Sequence, residues 1–373
     1  MALKVAIALR RMAADGGTGG YATALARSLL EGGHEVAVIC MESALEPELE
    51  ARVGRGLAMV RVRVPRLGSL VSMPAFARAA RAAVVASRPD VSLALGRVPG
   101  LDVYRAGGGC HAAYLQTLPG WWASPRHHVE LALDRGAVLG ARRVVANARG
   151  PGEQLVARYG LDRARLVVIH NGVDAGRFRP RPELRAETRA ELGLSTQARL
   201  AVFLGAGFRR KGLDLAIRAL ARVPGLALVA LGGDRGTARY RRLAARLGVT
   251  LRLVGARPDP ERYLGAADLM ILPTRYDSAA NAVLEGMAAG LPVITTVANG
   301  AAELLPHPWL AVDDPEDVTG LAAAVTRALG TPGLGELCRA AALEYPWSRA
   351  TGAMIRSLEE VAGSPDRPRG ERP

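Results

Sequence analysis

Short apolar runs, bounded by glycine, proline and polar clusters, recur from the first residues onward. "KVAIALR" predicts a strand, and "GGTGGYATALARSLLEGGHEVAVICME" reads as glycine loop, helix, turn and strand. "PDVSLALG", "ARRVVANA" and "RLVVIHNGVD" continue the strand series, with helical stretches such as 74–87 between several of them. A second series opens near Leu200. There "RLAVFLGAG", "LALVALGGD", "VTLRLVGA", "DLMILPT" and "LPVITT" predict strands, separated by helical patterns such as "KGLDLAIRALARV" and "TARYRRLAARLG". This alternation predicts an α/β chain with two parallel sheets, each covered by helices on both faces.

Two sheets imply two domains, which suits 373 residues. The boundary is expected in "HNGVDAGRFRPRPE", a Gly-, Pro- and Asn-rich hinge, giving domains over 1–170 and 171–344. The end of the chain, 363–373, is polar and Pro/Gly-rich and is expected to be disordered. Ligands of open parallel sheets bind beyond the carboxyl ends of the strands, so two such sheets facing a cleft can each hold one substrate.

Composition narrows the class. No run of 18 or more apolar residues exists, so no membrane span is expected, and the early apolar run ends in arginines without a cleavage pattern. Three widely spaced cysteines (Cys40, Cys110, Cys338) make neither a disulfide framework nor a metal spacing, which suits a reducing cytoplasm. The net charge of +14 suits an anionic partner: nucleic acid, acidic lipid or a phosphorylated sugar. An equally fair reading is compositional bias, because only Lys4 and Lys211 are lysine and the arginines are spread throughout. A nucleic-acid binder would gather arginine around stacking aromatics; 4% aromatic content argues against it.

The stretch "TRYDSAANAVLEGMAAGLPVITT" carries the chemistry. Asp277 falls just past a strand's carboxyl end, and Asn281 is a suitable N-cap for a helix over about 282–289. Gly290 and Pro292 mark its stop. Glu285 falls in or just after the first turn. Backbone N–H groups around Ala282, Val283 and Leu284 would form an anion site, with an acid on either side for a ribose diol and a sugar hydroxyl. Taken singly, Glu285 can simply match the helix dipole and Asp277 support a turn.

Taken together, the stretch resembles the E-x7-E region of retaining GT-B glycosyltransferases of the family 4 group, with Asp277 in the first glutamate's place and Glu285 in the second's. The resemblance implies a GT-B fold of two Rossmann-like domains facing a cleft, with a C-terminal helix over 345–362 crossing back onto the first domain. It implies sugar contacts for Asp277 and ribose contacts for Glu285. "GFRRKGLD" resembles the element that presents Arg210 and Lys211 to the donor diphosphate, where cations neutralise charge on the leaving group. Lysine at 211 stands out in a chain that otherwise uses arginine. Arg209 reads as a solvated face. The backbone near Arg257 is implied as a base contact, and "HNGVDAGRFRP" as the interdomain segment.

In the first half, Gly17, Gly19 and Ala22 also fit a loose dinucleotide pattern, for which Glu35 or Glu42 would have to bind ribose. The resemblance instead brings the Gly17 loop to the donor diphosphate, where backbone can approach closely. "PGLDVYRAGGGCHAAYLQ" is similar to glucosyltransferases that extend the inner core of lipopolysaccharide. Many relatives follow with D-G-x-H; here Gly108 stands where the acid would be, and His111 is either a donor-sugar contact or a structural imidazole. "LQTLPGWWASPRHH" reads as a loop. Trp121 and Trp122, flanked by Arg126, His127 and His128, can meet a membrane interface or a glycolipid, or pack as core and cover.

The resemblance implies transfer of a hexose, expected to be glucose, from a nucleotide diphosphate sugar such as UDP-glucose to a glycan or glycolipid, with anomeric retention. Lys211, Arg210, Asp277 and His111 are the catalytic candidates. No D-x-D pair is present, so no metal and no cofactor beyond the donor are expected. The expected setting is cytoplasmic, with peripheral contact to an anionic membrane and no nucleic-acid partner. The alternatives are a nucleotide-sugar epimerase of the same fold and a basic nucleic-acid-binding protein.

Overall fold

The computed structural model describes residues 2–13, 17–65, 67–234 and 236–364. Two compact units divide the chain: Met1–His170 with Trp347–Pro373, and Asn171–Pro346.

In the first unit the elements run β1 (Lys4–Ala8), β2 (Arg11–Ala13), α1 (Gly17–Glu31), β3 (Glu35–Cys40), β4 (Glu42–Ala44), α2 (Pro47–Glu50), β5 (Leu57–Arg61), α3 (Gly68–Ser87) and β6 (Val91–Ala94). They continue with β7 (Val103–Arg105), α4 (His111–Leu115), α5 (Pro125–Gly140), β8 (Arg143–Ala146), α6 (Arg149–Tyr159) and β9 (Leu166–Val168). Seven strands form one parallel sheet in the order β5-β3-β1-β6-β7-β8-β9. Val5 pairs with Val36 on one side and Val91 on the other. The apolar runs of β1, β3 and β6 are buried because helices cover both faces. Gly19 lets α1 approach β2, since a Cβ there would stand 2.4 Å from the Ala13 carbonyl oxygen.

The second unit contains α7 (Pro182–Glu191), β10 (Arg199–Leu204), α8 (Phe208–Lys211), α9 (Leu213–Leu220), β11 (Leu226–Leu231), α10 (Ala238–Arg246) and β12 (Leu251–Gly255). It continues with α11 (Pro260–Ala266), β13 (Leu269–Ile271), α12 (Asn281–Ala288), β14 (Val293–Thr296), β15 (Ala311–Val312), α13 (Val318–Leu329) and α14 (Leu334–Leu343). Its parallel sheet has the order β12-β11-β10-β13-β14-β15. The order reverses between β10 and β13, where Ala201 pairs with Leu228 on one side and Leu269 on the other. The chain therefore leaves the two central strands in opposite directions and opens a crevice at their carboxyl ends. The last helix, α15 (Trp347–Gly363), packs on α1 of the first unit, with Met354, Leu358 and Val361 in that unit's core.

Several local expectations change. "PRHH" belongs to α5 and not to a loop, with Pro125 at the first turn where its missing N–H costs nothing. Asn281 is not an N-cap. The helix starts at Asn281 itself, with Ala280 in the cap position and no side-chain cap. The two-stranded β2–β4 ladder and strands β5 and β7 carry no clear alternation and were not expected from the pattern. The expected disordered tail lies outside the described residues from 365 onward, while Gly363 closes α15.

Candidate functional site

The crevice of the second unit is built from the loops that follow β10 and β13. After β10 the chain turns into α8, which ends on Lys211. Gly212 then adopts φ +79°, and a Cβ there would stand 2.0 Å from the Pro273 carbonyl oxygen. Only glycine permits this contact, which seats α8 on the β13 loop. Thr274, fully buried, donates to the Arg210 carbonyl at 3.0 Å, and the Arg275 N–H donates to the same oxygen at 2.8 Å. The Arg275 guanidinium holds Asp214 through two bonds of 2.9 and 2.8 Å and reaches the Arg209 carbonyl at 2.7 Å.

This scaffold brings three of the expected residues together. The Lys211 ammonium stands 2.6 Å from a carboxylate oxygen of Asp277, and the Arg210 guanidinium binds the same oxygen. Arg210 also donates to the Tyr276 carbonyl at 3.1 Å. Asp277 is buried, and its backbone is fixed in both directions: its N–H donates to Ala298, and its carbonyl accepts from Gly300. Burial pushes the carboxyl up, but Lys211 and then Arg210 outweigh it and hold Asp277 below its ordinary range. Asp277 thus meets two cations directly.

Glu285 sits in α12, half-buried. Among the described residues its carboxylate has no hydrogen-bonded or ion-paired partner. Burial raises it to about 7, against the opposing charges of Arg177 and Lys211 and with a further push from Glu261. Lys211 therefore acts on both acids. Ala282 and Val283 occupy the buried first turn of α12; the Val283 N–H donates to the Ala280 carbonyl at 3.0 Å, and Ala280 provides no side-chain cap. Asn281 accepts from Asn171 Nδ2 at 2.7 Å, and Asn171 also donates to the Ala279 carbonyl at 3.1 Å. Asn299, fully buried, accepts from the Ala280 N–H at 3.1 Å and tightens the same loop. Arg257 is exposed; its guanidinium lies 3.7 Å from Glu191 and 5.8 Å from the Tyr263 ring centroid.

Gly17 and His111 belong to the first unit. Gly17 opens α1 and is exposed, while residues 14–16 before it lie outside the described residues. His111 opens α4, is 2% exposed, and is surrounded by side chains that the sequence did not single out. Its N–H donates to Asp134 at 2.9 Å, its Nδ1 lies 3.2 Å from Arg97 Nη2, and its Nε2 lies 3.3 Å from Glu130. Asp134 is fully buried and also accepts from Tyr104 at 2.9 Å, Tyr159 at 2.7 Å and Arg97 at 3.2 Å. Burial and then Arg97 drive His111 down to about 4, against Glu130 and Asp134, so the imidazole is neutral at physiological pH. A signal for these acids was present: Glu130, Asp134, Ala137 and Val138 follow helical spacing and form the buried face of α5. His111, His127 and Glu130 also cluster as three groups of metal-ligating type. Arg97 and Arg126 both bear on Glu130, and Arg97 meets His111 Nδ1, so two guanidiniums compete with any cation there.

Trp121 is half-buried against the His128 ring at 5.7 Å, and Trp122 is 70% exposed; neither is core. Gly108 has nothing within 4 Å of a built Cβ, so a side chain fits there.

The fold agrees with comparisons to known proteins. The model described as Glycosyltransferase Family 4 matches residues 15–177, and the model of Glycosyl transferases group 1 matches residues 198–331. D-inositol 3-phosphate glycosyltransferases of Mycobacterium tuberculosis and Mycobacterium bovis are 32% identical over 169 residues, 43% of this chain and 35% of theirs. The chain thus spans about a third of the length of these curated relatives. The crystal structure of WaaG, a glycosyltransferase involved in lipopolysaccharide biosynthesis, matches with a TM-score of 0.80 at 22% identity, covering 96% of this chain and 100% of that one. HepE of Anabaena in complex with UDP-glucose matches with a TM-score of 0.73 at 18% identity, covering 96% and 100%. The two family models lie in sequence order, one in each parallel-sheet unit, and the chain belongs to the GT-B glycosyltransferases of the family 4 group.

Proposed function

We propose that this chain transfers a hexose from a nucleotide diphosphate sugar to a hydroxyl group of a glycan or glycolipid, with retention at the anomeric carbon. One observation carries the reading. At the strand-order reversal of the second unit, Lys211 and Arg210 converge on Asp277, and an unpartnered Glu285 lies one helix away under the same ammonium's influence.

In this scheme the bond between the anomeric carbon and the diphosphate oxygen breaks while the acceptor oxygen forms a bond to the same carbon face. The acceptor proton passes to the departing diphosphate. Arg210, Lys211 and the N–H group of Ala282 neutralise the charge that accumulates on that diphosphate. Asp277 meets the sugar hydroxyls and Glu285 the ribose. Asp277, clamped by two cations, is a poor nucleophile, which favours the front-face route over a covalent intermediate. Protein cations supply the phosphate charge balance, so no metal is required.

A UDP-glucose donor is supported by HepE, whose crystals contain it, and a lipopolysaccharide-core acceptor by the likeness to WaaG. A peripheral membrane setting is supported by Trp122, 70% exposed near exposed Arg126; no helix among the described residues is long and apolar enough to cross a membrane. The test is incubation of the chain with UDP-glucose, GDP-mannose and ADP-glucose and an extracted glycolipid fraction, with chelator present. Mass gain of one hexose, with an α-linkage by NMR, is expected. A β-linked product would overturn retention, and no transfer from any donor would overturn the transferase reading.

A further inference from the structure

A second charged site lies in the same unit. Arg209 of α8 and Arg239, Arg242 and Arg246 of α10 line a cavity of about 550 Å³, together with Asp214, Tyr240 and Leu243. On α10 the three arginines follow i, i+3 and i+7, so each neighbouring pair shares one helical face with Cβ atoms roughly 5–6 Å apart. The arginines of α8 diverge: Arg210 turns to Asp277, while Arg209 turns to the cavity. Successive helical residues point about 100° apart, which separates the two sites on one short helix.

The charge in the cavity is only partly compensated: Arg239 donates to the Tyr240 hydroxyl at 2.7 Å and pairs with Asp234, while the other three lining arginines have no acid among the described residues. The one lining carboxylate, Asp214, is committed to Arg275 through two hydrogen bonds. Arg239 stacks over Tyr240 at 4.6 Å and lies 3.4 Å from Asp234. Arg209, Arg242 and Arg246 have no side-chain hydrogen bond or ion pair among the described residues. Elsewhere in the unit, arginines such as Arg185, Arg189 and Arg262 are paired with acids. Like charges held on one face repel, and a guanidinium fork matches phosphate oxygens in pairs. The cavity's volume falls in the range of compact-ligand sites, roughly 300–1,000 Å³.

We propose that Arg209, Arg239, Arg242 and Arg246 form a binding site, distinct from the Lys211–Asp277 centre, for a compact phosphate-bearing molecule or headgroup. The arginines grip the phosphate, and Leu243 on the lining meets the molecule's uncharged part. The inference stands on this cavity alone and does not depend on the donor reading.

The test uses the full chain carrying Lys211→Met, so that phosphate capture at the other centre is weakened. Pyrophosphate titrated into this parent is expected to bind at one site. Adding Arg242→Gln and Arg246→Gln should weaken binding at least tenfold, while Arg242→Lys with Arg246→Lys, which keeps charge without the fork, should lie between. Both positions are exposed, so the melting profile should not change. Sedimentation with phosphatidylcholine vesicles containing phosphatidic acid, lost in the Gln variant, would identify a lipid headgroup; pyrophosphate binding without vesicle binding would identify a soluble phosphate. Absence of binding in the parent, or equal affinity with and without the arginines, would overturn the proposal. So would single-stranded RNA bound through these arginines that pyrophosphate does not displace.

Discussion

Glu285→Gln should abolish a pH dependence of stability that the wild-type chain carries between pH 4.5 and 7. The carboxyl is raised from 4.5 to about 7, chiefly by burial, with Arg177 and Lys211 opposing and Glu261 assisting. In the unfolded chain it ionises near its ordinary value, so in this window unfolding releases a proton. Stability linked to this group is therefore fully present below pH 4.5 and is lost as pH rises through about 7. The shift corresponds to about 3 kcal/mol as an upper bound, with solvent contact at a half-buried side chain lowering it. The amide keeps the shape and cannot ionise. Urea unfolding of both proteins at pH 5, 6, 7 and 8, followed on the same transition, should show the variant gaining about 1–2 kcal/mol on the wild type between pH 5 and pH 8. Parallel curves for the two proteins would refute the reasoning.

Asp277→Asn should cost about 3 kcal/mol by leaving Lys211 and Arg210 facing each other without their shared carboxylate. Added pyrophosphate should then raise the variant's melting temperature more than the wild type's; equal shifts would contradict that origin. Gly212→Ala should destabilise the second unit by several kcal/mol (on the order of 2–4), because φ is +79° and the new Cβ meets the Pro273 oxygen. Gly108→Asp, where a Cβ has open space, should melt within about 0.5 kcal/mol of wild type, and a large loss would show that the loop forbids the acid. His111 is held down to about 4 against an ordinary 6.5, so its contribution is present above pH 6.5 and lost as pH falls through about 4. His111→Gln should flatten that acid limb in a thermal melt series.

Period and punctuation made both sheets legible. The buried runs of β10 and β11 and the amphipathic α9 announce themselves, and Gly290 with Pro292 closes α12 where a stop was expected. Asn281 misled because a good capping residue is also a good loop anchor: here its amide is spent on Asn171, and Ala280 stands in the cap position. The α5 start was missed because two tryptophans and a proline read as loop, although proline suits a first helical turn. At the candidate site, the resemblance to the E-x7-E and Arg–Lys elements implied Lys211, Arg210 and Asp277. It could not indicate that Asp277 is clamped by both cations, since that depends on Gly212 bringing α8 against Pro273. The His111 surroundings were hidden for a related reason. Asp134 and Glu130 lie on a helix with a weak apolar stripe, and their partners Tyr104, Tyr159 and Arg97 come from three other segments.

The first unit shows how far burial alone shapes chemistry. Asp134 collects four donors in a fully buried position, and that arrangement fixes the start of α4 and the ring of His111. Such a network makes His111 a rigid, neutral group, with Nδ1 facing Arg97 and Nε2 facing Glu130, unsuited to carrying charge.

The most direct test of the central claim is calorimetric titration of the wild-type chain with UDP, GDP and ADP, repeated for Lys211→Ala and Glu285→Ala with chelator present. The account predicts micromolar binding of one nucleoside diphosphate, weakened tenfold or more in each variant. Binding of all three that survives both substitutions, or no binding to the wild type, would contradict the assignment of the diphosphate and ribose to Lys211 and Glu285.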